Sequence, residues 1–206
     1  MQVVKMRIAF VTQRYGGPGG GIERVVEELA KRFCHEHEVH VYAQSIVRGD
    51  EHLPIYYHRI PFRARSWSLN QVLFFFLSYF YLLRHRYDIV HLHAPSLYRK
   101  GIVTCHGIPQ AALLRLRQFD QALLRREVPF KQIRRFIFMR PIIEYNFKRG
   151  RHKHVIAISS TIYEDLITIC KTPPEHISFI PNGFDVQRFT RVSRVMARQK
   201  VVQQFG

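Results

Sequence analysis

Five glycines in six residues, Gly16-Gly17-Pro18-Gly19-Gly20-Gly21, stand between an apolar run and a helix-like one. A turn of that kind lets backbone approach a ligand closely and points the first helical amides at negative charge. The bland alternative is a plain mobile turn. Two phosphate loops are excluded by spacing. A dinucleotide fingerprint needs GxGxxG, but Gly17-x-Gly19 leads to Ile22 and Gly19-x-Gly21 leads to Arg24. No acid follows the second apolar run, where Tyr42-Ala-Gln-Ser45 stands, to hold a ribose. A P-loop needs Gly-Lys-Ser/Thr, and Gly21 is followed by Ile22-Glu23. What remains is a generic phosphate or sugar contact. Histidines are the second group that could do chemistry. His91 and His93 share one side of a strand, and an HxH pair can ligate metal, yet no third ligand stands at a suitable spacing. Structural or substrate-lining roles suit them better. His106 closes another strand and is either a reaction-centre imidazole or a strand-end histidine satisfied by backbone.

Such groups need a frame, and the composition supplies one. The 206 residues are 47% apolar and 13% aromatic, enough for the core of one large domain and too much for a disordered tail. Cys34, Cys105 and Cys170 are far apart with no CxxC pair, which argues against a disulfide framework or zinc knuckle and for a reducing compartment. The amino terminus is interrupted by Lys5 and Arg7 and lacks a small-residue cleavage site, so no secretory signal is expected. The most apolar stretch, Val72 to Leu83, is too short to span a bilayer, for which about 20 residues are needed. It reads as a buried helix or an interfacial one.

Short β-rich runs alternate with helix-like segments along the whole chain. Strands are expected at 7–12, 38–43, 55–60, 88–93, 101–106, 154–159 and 177–180, with helices at 22–33, 68–85 and 160–170. On the first helix, Ile22, Val25, Val26, Leu29 and Phe33 form the inner face, with Glu23, Glu27 and Glu28 outside. The alternation predicts a doubly wound α/β fold, a mainly parallel sheet with helices on both faces. In such sheets ligands bind beyond the carboxyl ends of the strands. The glycine loop, Ala94-Pro95, His106-Gly107, Ser159-Ser160 and Pro181-Asn182-Gly183 all follow strands, so parallel topology brings them to one rim.

Charge is the other strong signal. Lys and Arg number 32 against 15 acids, for a net charge of +17. Such a chain is drawn to phosphate, nucleic acid or a lipid surface. The excess is concentrated between Gln110 and Lys153, where twelve Lys and Arg, among them Arg115, Arg125, Arg134, Arg135 and Arg149, face only Asp120, Glu127 and Glu144. Apolar residues recur between them at helical spacing, which predicts two or three basic amphipathic helices broken or kinked at Pro129 and Pro141.

Five segments in order carry a resemblance to a family. Gly20-Gly21-Ile22-Glu23-Arg24 with Leu29-Ala30 resembles the GGxER…LA signature of the retaining glycosyltransferase family 4, enzymes of the GT-B fold. Asp88-Ile-Val-His-Leu-His-Ala-Pro95 resembles its DxxHxHxP strand, with Ala94 where many relatives carry Glu. Thr104-Cys-His-Gly107, Val155-Ile-Ala-Ile-Ser159 and Ile177-Ser-Phe-Ile-Pro-Asn-Gly-Phe-Asp185 with Phe189 match three further motifs. The resemblance implies that Gly20, Gly21, Asn182 and Gly183 lie on the donor diphosphate and sugar side. It implies His106 at the reaction centre, with His91, His93 and Ser159 lining the acceptor side. The substrates implied are a nucleotide-sugar and a glycan or lipid-linked acceptor, with no cofactor and no metal.

The same resemblance assigns residues 1–189 to the family's amino-terminal, acceptor-side domain, and 190–206 to a linker toward a carboxy-terminal donor-binding domain that these residues lack. Without it the chain is expected to be inactive. Basic surfaces on this domain of the family commonly meet anionic lipid, so the expected location is the cytoplasm, peripheral at the inner face of the membrane. Two other readings are weighed. A nucleic-acid-binding protein would use the charge, but no RNP, KH, zinc-finger or helix-turn-helix signature supports it. A dehydrogenase is weakened by the failed fingerprint.

Overall fold

The structure, a computed structural model, describes residues 4–17, 20–47, 52–62, 64–119, 130–147, 151–183 and 194–205. Seven strands form one sheet: β1 (Arg7–Tyr15), β2 (Glu38–Ile46), β3 (Ile55–Arg59), β4 (Ile89–Leu92), β5 (Ile102–Cys105), β6 (His154–Ala157) and β7 (Ile177–Phe179). Their order is β3-β2-β1-β4-β5-β6-β7 and every pair is parallel. The helices are α1 (Gly21–Phe33), α2 (Trp67–Leu82), α3 (Pro109–Phe119), α4 (Phe130–Phe147), α5 (Ser160–Thr168) and α6 (Arg194–Phe205). The expected doubly wound sheet is what the chain forms.

Strand residues alternate between two cores, because successive side chains leave opposite faces of the pleat. Ile8, Phe10, Val39 and Val41 pack with Val26 and Ala30 of α1 on one face. Ala9, Val11, Val90, Leu92, Val103 and Cys105 pack with α2, α4 and α5 through Phe74, Leu82, Met139, Ile143, Phe147 and Leu166 on the other. α2 begins at Ser66, whose hydroxyl accepts from the Leu69 amide at 3.2 Å, a cap that satisfies an otherwise orphan donor.

Four local expectations need correcting. Pro141 lies inside α4, which runs on through it, because Met139, Ile143 and Phe147 recur at spacing four and seat that stretch of the helix in the core. Pro129 lies outside the described residues. β1 and β2 each extend to nine residues, since Tyr15 still pairs with Ile46. Ile22, expected on the inner face of α1, is exposed at the helix's first turn, where the sheet below has ended. A helix forms over Arg194–Phe205, where the sequence suggested only linker.

Candidate functional site

Strand order reverses between β1 and β4: α1 leaves β1 on one face and α2 reaches β4 from the other. Beyond the carboxyl ends of β1, β4 and β5 this leaves a cavity of about 460 Å³, where the doubly wound topology predicts a ligand site. One wall carries Ile22 and Glu23 of α1, the opposite wall Trp67 and Gln71 of α2, and the floor His93, Thr104 and His106. Met139, Ile143 and Phe147 of α4 close the apolar side.

The histidines form a short network. His93 Nδ1 and His106 Nε2 share a hydrogen bond of 3.0 Å, and the rings of His91 and His93 lie 4.2 Å apart. His91 Nε2 and the Thr104 hydroxyl share another bond at 2.7 Å. Burial pushes His106 down to about 4, with the charge of Glu23 pulling the other way. Burial, helped by His106, takes His91 to about 4 as well, and burial with its two neighbours holds His93 well below its ordinary value. All three rings are neutral at pH 7, so each bond joins one donating and one accepting group. Among the described residues His93 Nε2 finds no hydrogen-bond partner. Among them, too, no three of His, Cys, Asp or Glu converge as a metal's ligands would.

The expected site residues are divided by this geometry. His106 and His93 line the cavity together. His91 lies behind His93 with one ring nitrogen committed to Thr104. Gly20 caps α1 and Gly21 opens it, beside Ile22 and Glu23 on the cavity wall. Neither glycine has a positive φ; the left-handed positions are Gly16 at 70° and Gly17 at 76°, where a Cβ on Gly16 would meet the Val47 carbonyl. The conformational demand for glycine thus sits at the start of the loop, and its end carries none. Ser159 caps α5, its hydroxyl accepting from the Ile162 amide at 3.2 Å. Asn182 and Gly183 are exposed after β7, on the same rim but three strand spacings from β4, roughly 14 Å. They stand outside the cavity wall.

The basic surface is likewise uneven. Arg115 is bound at 2.5 Å to the buried carboxylate of Asp165, which ties α3 to α5. Arg134 is exposed on α4, Arg135 lies in the same helix, and Arg125 and Arg149 fall outside the described residues.

Four contributors escaped the sequence reading. Glu23, assigned to the outer face of α1, lines the cavity instead, because the first turn of the helix overhangs the rim. Its place directly after the glycine loop was the signal. Gln13 and Gln71 exchange amide bonds of 2.6 and 3.0 Å across the cavity mouth. Buried Asn146 accepts from the Ser96 amide at 3.1 Å and donates to the Ile142 carbonyl at 2.8 Å, holding the β4–β5 loop to α4.

A family model described as Glycosyltransferase Family 4 matches residues 19–188. No curated protein matches the chain. Among solved structures, WaaG, a glycosyltransferase involved in lipopolysaccharide biosynthesis, is similar with a TM-score of 0.68 at 19% identity, covering 94% of this chain and 50% of that one. Anabaena Alr3699/HepE, solved in complex with UDP-glucose, gives 0.59 at 19% identity over 97% and 50%. A glycosyltransferase from Rickettsia africae ESF-5 gives 0.52 at 16% identity over 97% and 49%. At these identities the likeness is one of fold, and the sheet matches one α/β half of such enzymes. The chain spans about half the length of each.

Proposed function

The chain belongs to glycosyltransferase family 4, and from that premise we propose that it forms the amino-terminal, acceptor-receiving half of a retaining transferase that moves a hexosyl unit from a nucleotide-sugar. The observation that carries this reading is the cavity at the switch point, with His106 hydrogen-bonded to buried His93 on its floor and Ile22 and Glu23, which follow the glycine loop in the first turn of α1, at its wall. Residues 1–189 constitute that half, and 190–206 lead toward a second α/β domain that holds the nucleotide. HepE was solved with UDP-glucose, which makes a uridine diphosphate sugar the first donor to try. WaaG takes part in lipopolysaccharide biosynthesis, which points to a cell-envelope or lipid-linked glycan as acceptor.

The roles follow from position. The α1 amides opened by Gly20 and Gly21 face the donor diphosphate, and Asn182 and Gly183 meet the donor-side domain across the cleft. Neutral His106 holds a hydroxyl at the transferred sugar, donating or accepting as its bond to His93 dictates. In a retaining transfer the acceptor oxygen attacks C1 on the face from which the phosphate departs, so the new C–O bond forms as the old one breaks. The hydroxyl proton passes to the departing phosphate oxygen, and no protein nucleophile is needed. His91, His93 and Ser159 support the acceptor side. The reaction requires neither cofactor nor metal from this half, and the basic surface of α3 and α4 attracts an anionic membrane, placing the protein at the cytoplasmic leaflet. Membership of this family favours neither a nucleic-acid-binding protein nor a dehydrogenase.

The test is turnover. A protein carrying both halves transfers sugar from a UDP-sugar to a glycan acceptor, whereas the 206 residues alone do not, because donor and acceptor must be clamped together with water excluded. Comparable turnover by these 206 residues alone would overturn the division of labour.

A further inference from the structure

The chain carries 32 Lys and Arg, yet among the described residues that line the switch-point cavity none is Lys or Arg. Glu23 is the one ionised side chain among them. Other polar groups of the wall, Gln13, Gln71 and Thr104 among them, carry no charge, and burial keeps His93 and His106 neutral at pH 7. A phosphate or carboxylate entering here would meet an anion and no cation. The cavity thus disfavours the acidic groups that the rest of this basic chain attracts.

Two reciprocal amide rings stand at the carboxyl ends of β1 and β2. In the first, Gln13 Nε2 donates to Gln71 Oε1 at 2.6 Å and Gln71 Nε2 donates to Gln13 Oε1 at 3.0 Å. In the second, Gln44 and Asn70 exchange bonds of 2.8 and 2.9 Å. The rings are neighbours, because Gln13 lies beside Gln44 between the paired Thr12–Ala43 and Arg14–Ser45, and Asn70 precedes Gln71 on α2. Both therefore tie strand ends to the amino-terminal part of α2, but they are completed differently. Gln44 Nε2 also donates to the Phe62 carbonyl at 3.0 Å, and neither Gln44 nor Asn70 lines the cavity. Gln13 and Gln71 do line it, and among the described residues their amides make no bond beyond the ring. A primary amide has two N–H donors and two carbonyl lone pairs. The ring uses one of each, so either edge of it keeps a free N–H beside a free lone pair.

We propose that Gln13 and Gln71 are the specificity-determining pair of this cavity, and that they hold two adjacent hydroxyls of an uncharged sugar residue. A hydroxyl both donates and accepts, so two of them answer a free N–H and a free lone pair standing side by side. An anionic oxygen only accepts and an ammonium only donates, and either leaves part of the edge unpaired. Trp67 lies on the same wall as Gln71 and offers a broad ring to the C–H face of a sugar. The Gln44–Asn70 ring already joins the same elements, which frees the Gln13–Gln71 ring for recognition. The inference deepens the acceptor-receiving reading above and rests on it: it makes the received sugar neutral and names the two side chains that read it.

Trp67 is the chain's one tryptophan and lines the cavity, so its emission reports occupancy. The experiment titrates the 206-residue chain with the methyl glycosides of glucose, galactose and mannose. The one that binds best is then compared with its deoxy counterparts, its 6-phosphate and its uronic acid at equal ionic strength. A saturable emission change is expected with the neutral glycoside. The two acidic forms should bind at least about tenfold more weakly, and removing either hydroxyl of the held pair should cost about tenfold. Gln71→Leu, and Gln13→Leu at the half-buried partner, should each weaken the neutral glycoside about tenfold and shrink the deoxy penalty to within about twofold. Gln44→Leu should lower the melting temperature yet leave sugar binding within about twofold. A thermal melt of each variant checks the fold. Neutral and acidic sugars bound alike, or a deoxy penalty that survives both cavity variants, would overturn the proposal, while turnover by a protein carrying both halves would still uphold the acceptor-receiving reading. No emission change with any of these sugars overturns the proposal too, and the absence of turnover as well would remove both.

Discussion

Two histidine pairs, each joining a buried ring to a half-buried one, sit at opposite ends of this sheet, and they are finished differently. At the amino end, His40 Nδ1 and His58 Nε2 share a 2.8 Å bond, and His40 Nε2 bonds Glu38 at 2.8 Å. Glu38 in turn accepts from Arg7 at 2.8 Å, and the rings are stacked against Tyr42 and Tyr56. Both nitrogens of His40 are spoken for and the chain of bonds ends in an ion pair. At the carboxyl end, His93 and His106 make the same kind of pair, but His93 Nε2 has no partner among the described residues and His106 faces a cavity. Neither pair is charged at neutral pH. The difference is closure: a network whose buried ring has both nitrogens bonded and which ends in an ion pair holds structure together, and one whose buried ring keeps an unpartnered nitrogen beside a cavity has bonding capacity in reserve for a ligand.

The largest expected effect tests that contrast directly. In a protein carrying both halves, His106→Ala should lower kcat by about a hundredfold or more, the range in which positioned imidazoles act. His58→Ala should leave kcat within about twofold and instead lower the melting temperature, since it leaves His40 Nδ1 buried and unpaired. Equal losses of kcat from both variants would erase the distinction between the two ends.

Acid should destabilise the two ends in parallel. His58 and His106 are each pushed down to about 4, chiefly by burial, from an ordinary 6.5. Folded, these rings take a proton only near pH 4; unfolded, they take it near 6.5. Between those values the unfolded chain binds more protons, so their contribution is complete above pH 6.5 and is lost as pH falls toward 4. Each ring adds at most about 1.4 kcal/mol per pH unit to that slope. Urea melts at successive pH values should steepen below 6.5, and ligand bound in the cavity should offset the part owed to His106 alone. A flat profile would mean that the buried rings are solvated.

How much of this was written in the sequence depends on whether the determinant was local. The strands were legible because β-branched runs end at Pro or Gly, and parallel topology then forced the loops to one rim. The motif histidines were legible as types, but not their division of labour: nothing in HxH says that His91 bonds Thr104 while His93 bonds His106, since that is fixed by cross-strand register. Glu23 was misplaced because helical periodicity says which side faces the sheet and not where the sheet stops. The exposed face of α2 was only half legible, since an uncharged, largely apolar helix reads as buried or interfacial without saying which of its faces meets water. Arg115 counted as free charge until the fold brought Asp165 to it from fifty residues away.

The smallest effect is the sharpest test of closure, because it compares two glycines that differ in little but their end of the sheet. Gly101, at the amino end just before β5, is packed so that a Cβ would stand 2.8 Å from the Val90 carbonyl. Backbone cannot give way there cheaply, so Gly101→Ala should cost about 1–3 kcal/mol. A Cβ on Gly21 meets nothing within 4 Å, and the residue already has helical neighbours. Gly21→Ala should therefore change stability by less than about 0.5 kcal/mol. The fold does not need a glycine at that position, which leaves the space above it to be explained. If a donor diphosphate fills that space, the added methyl should raise the KM for the nucleotide-sugar in the two-half protein while the melt stays where it was. A Gly21→Ala variant with unchanged melt and unchanged KM would remove the glycine loop from the site and leave His106 to define it alone.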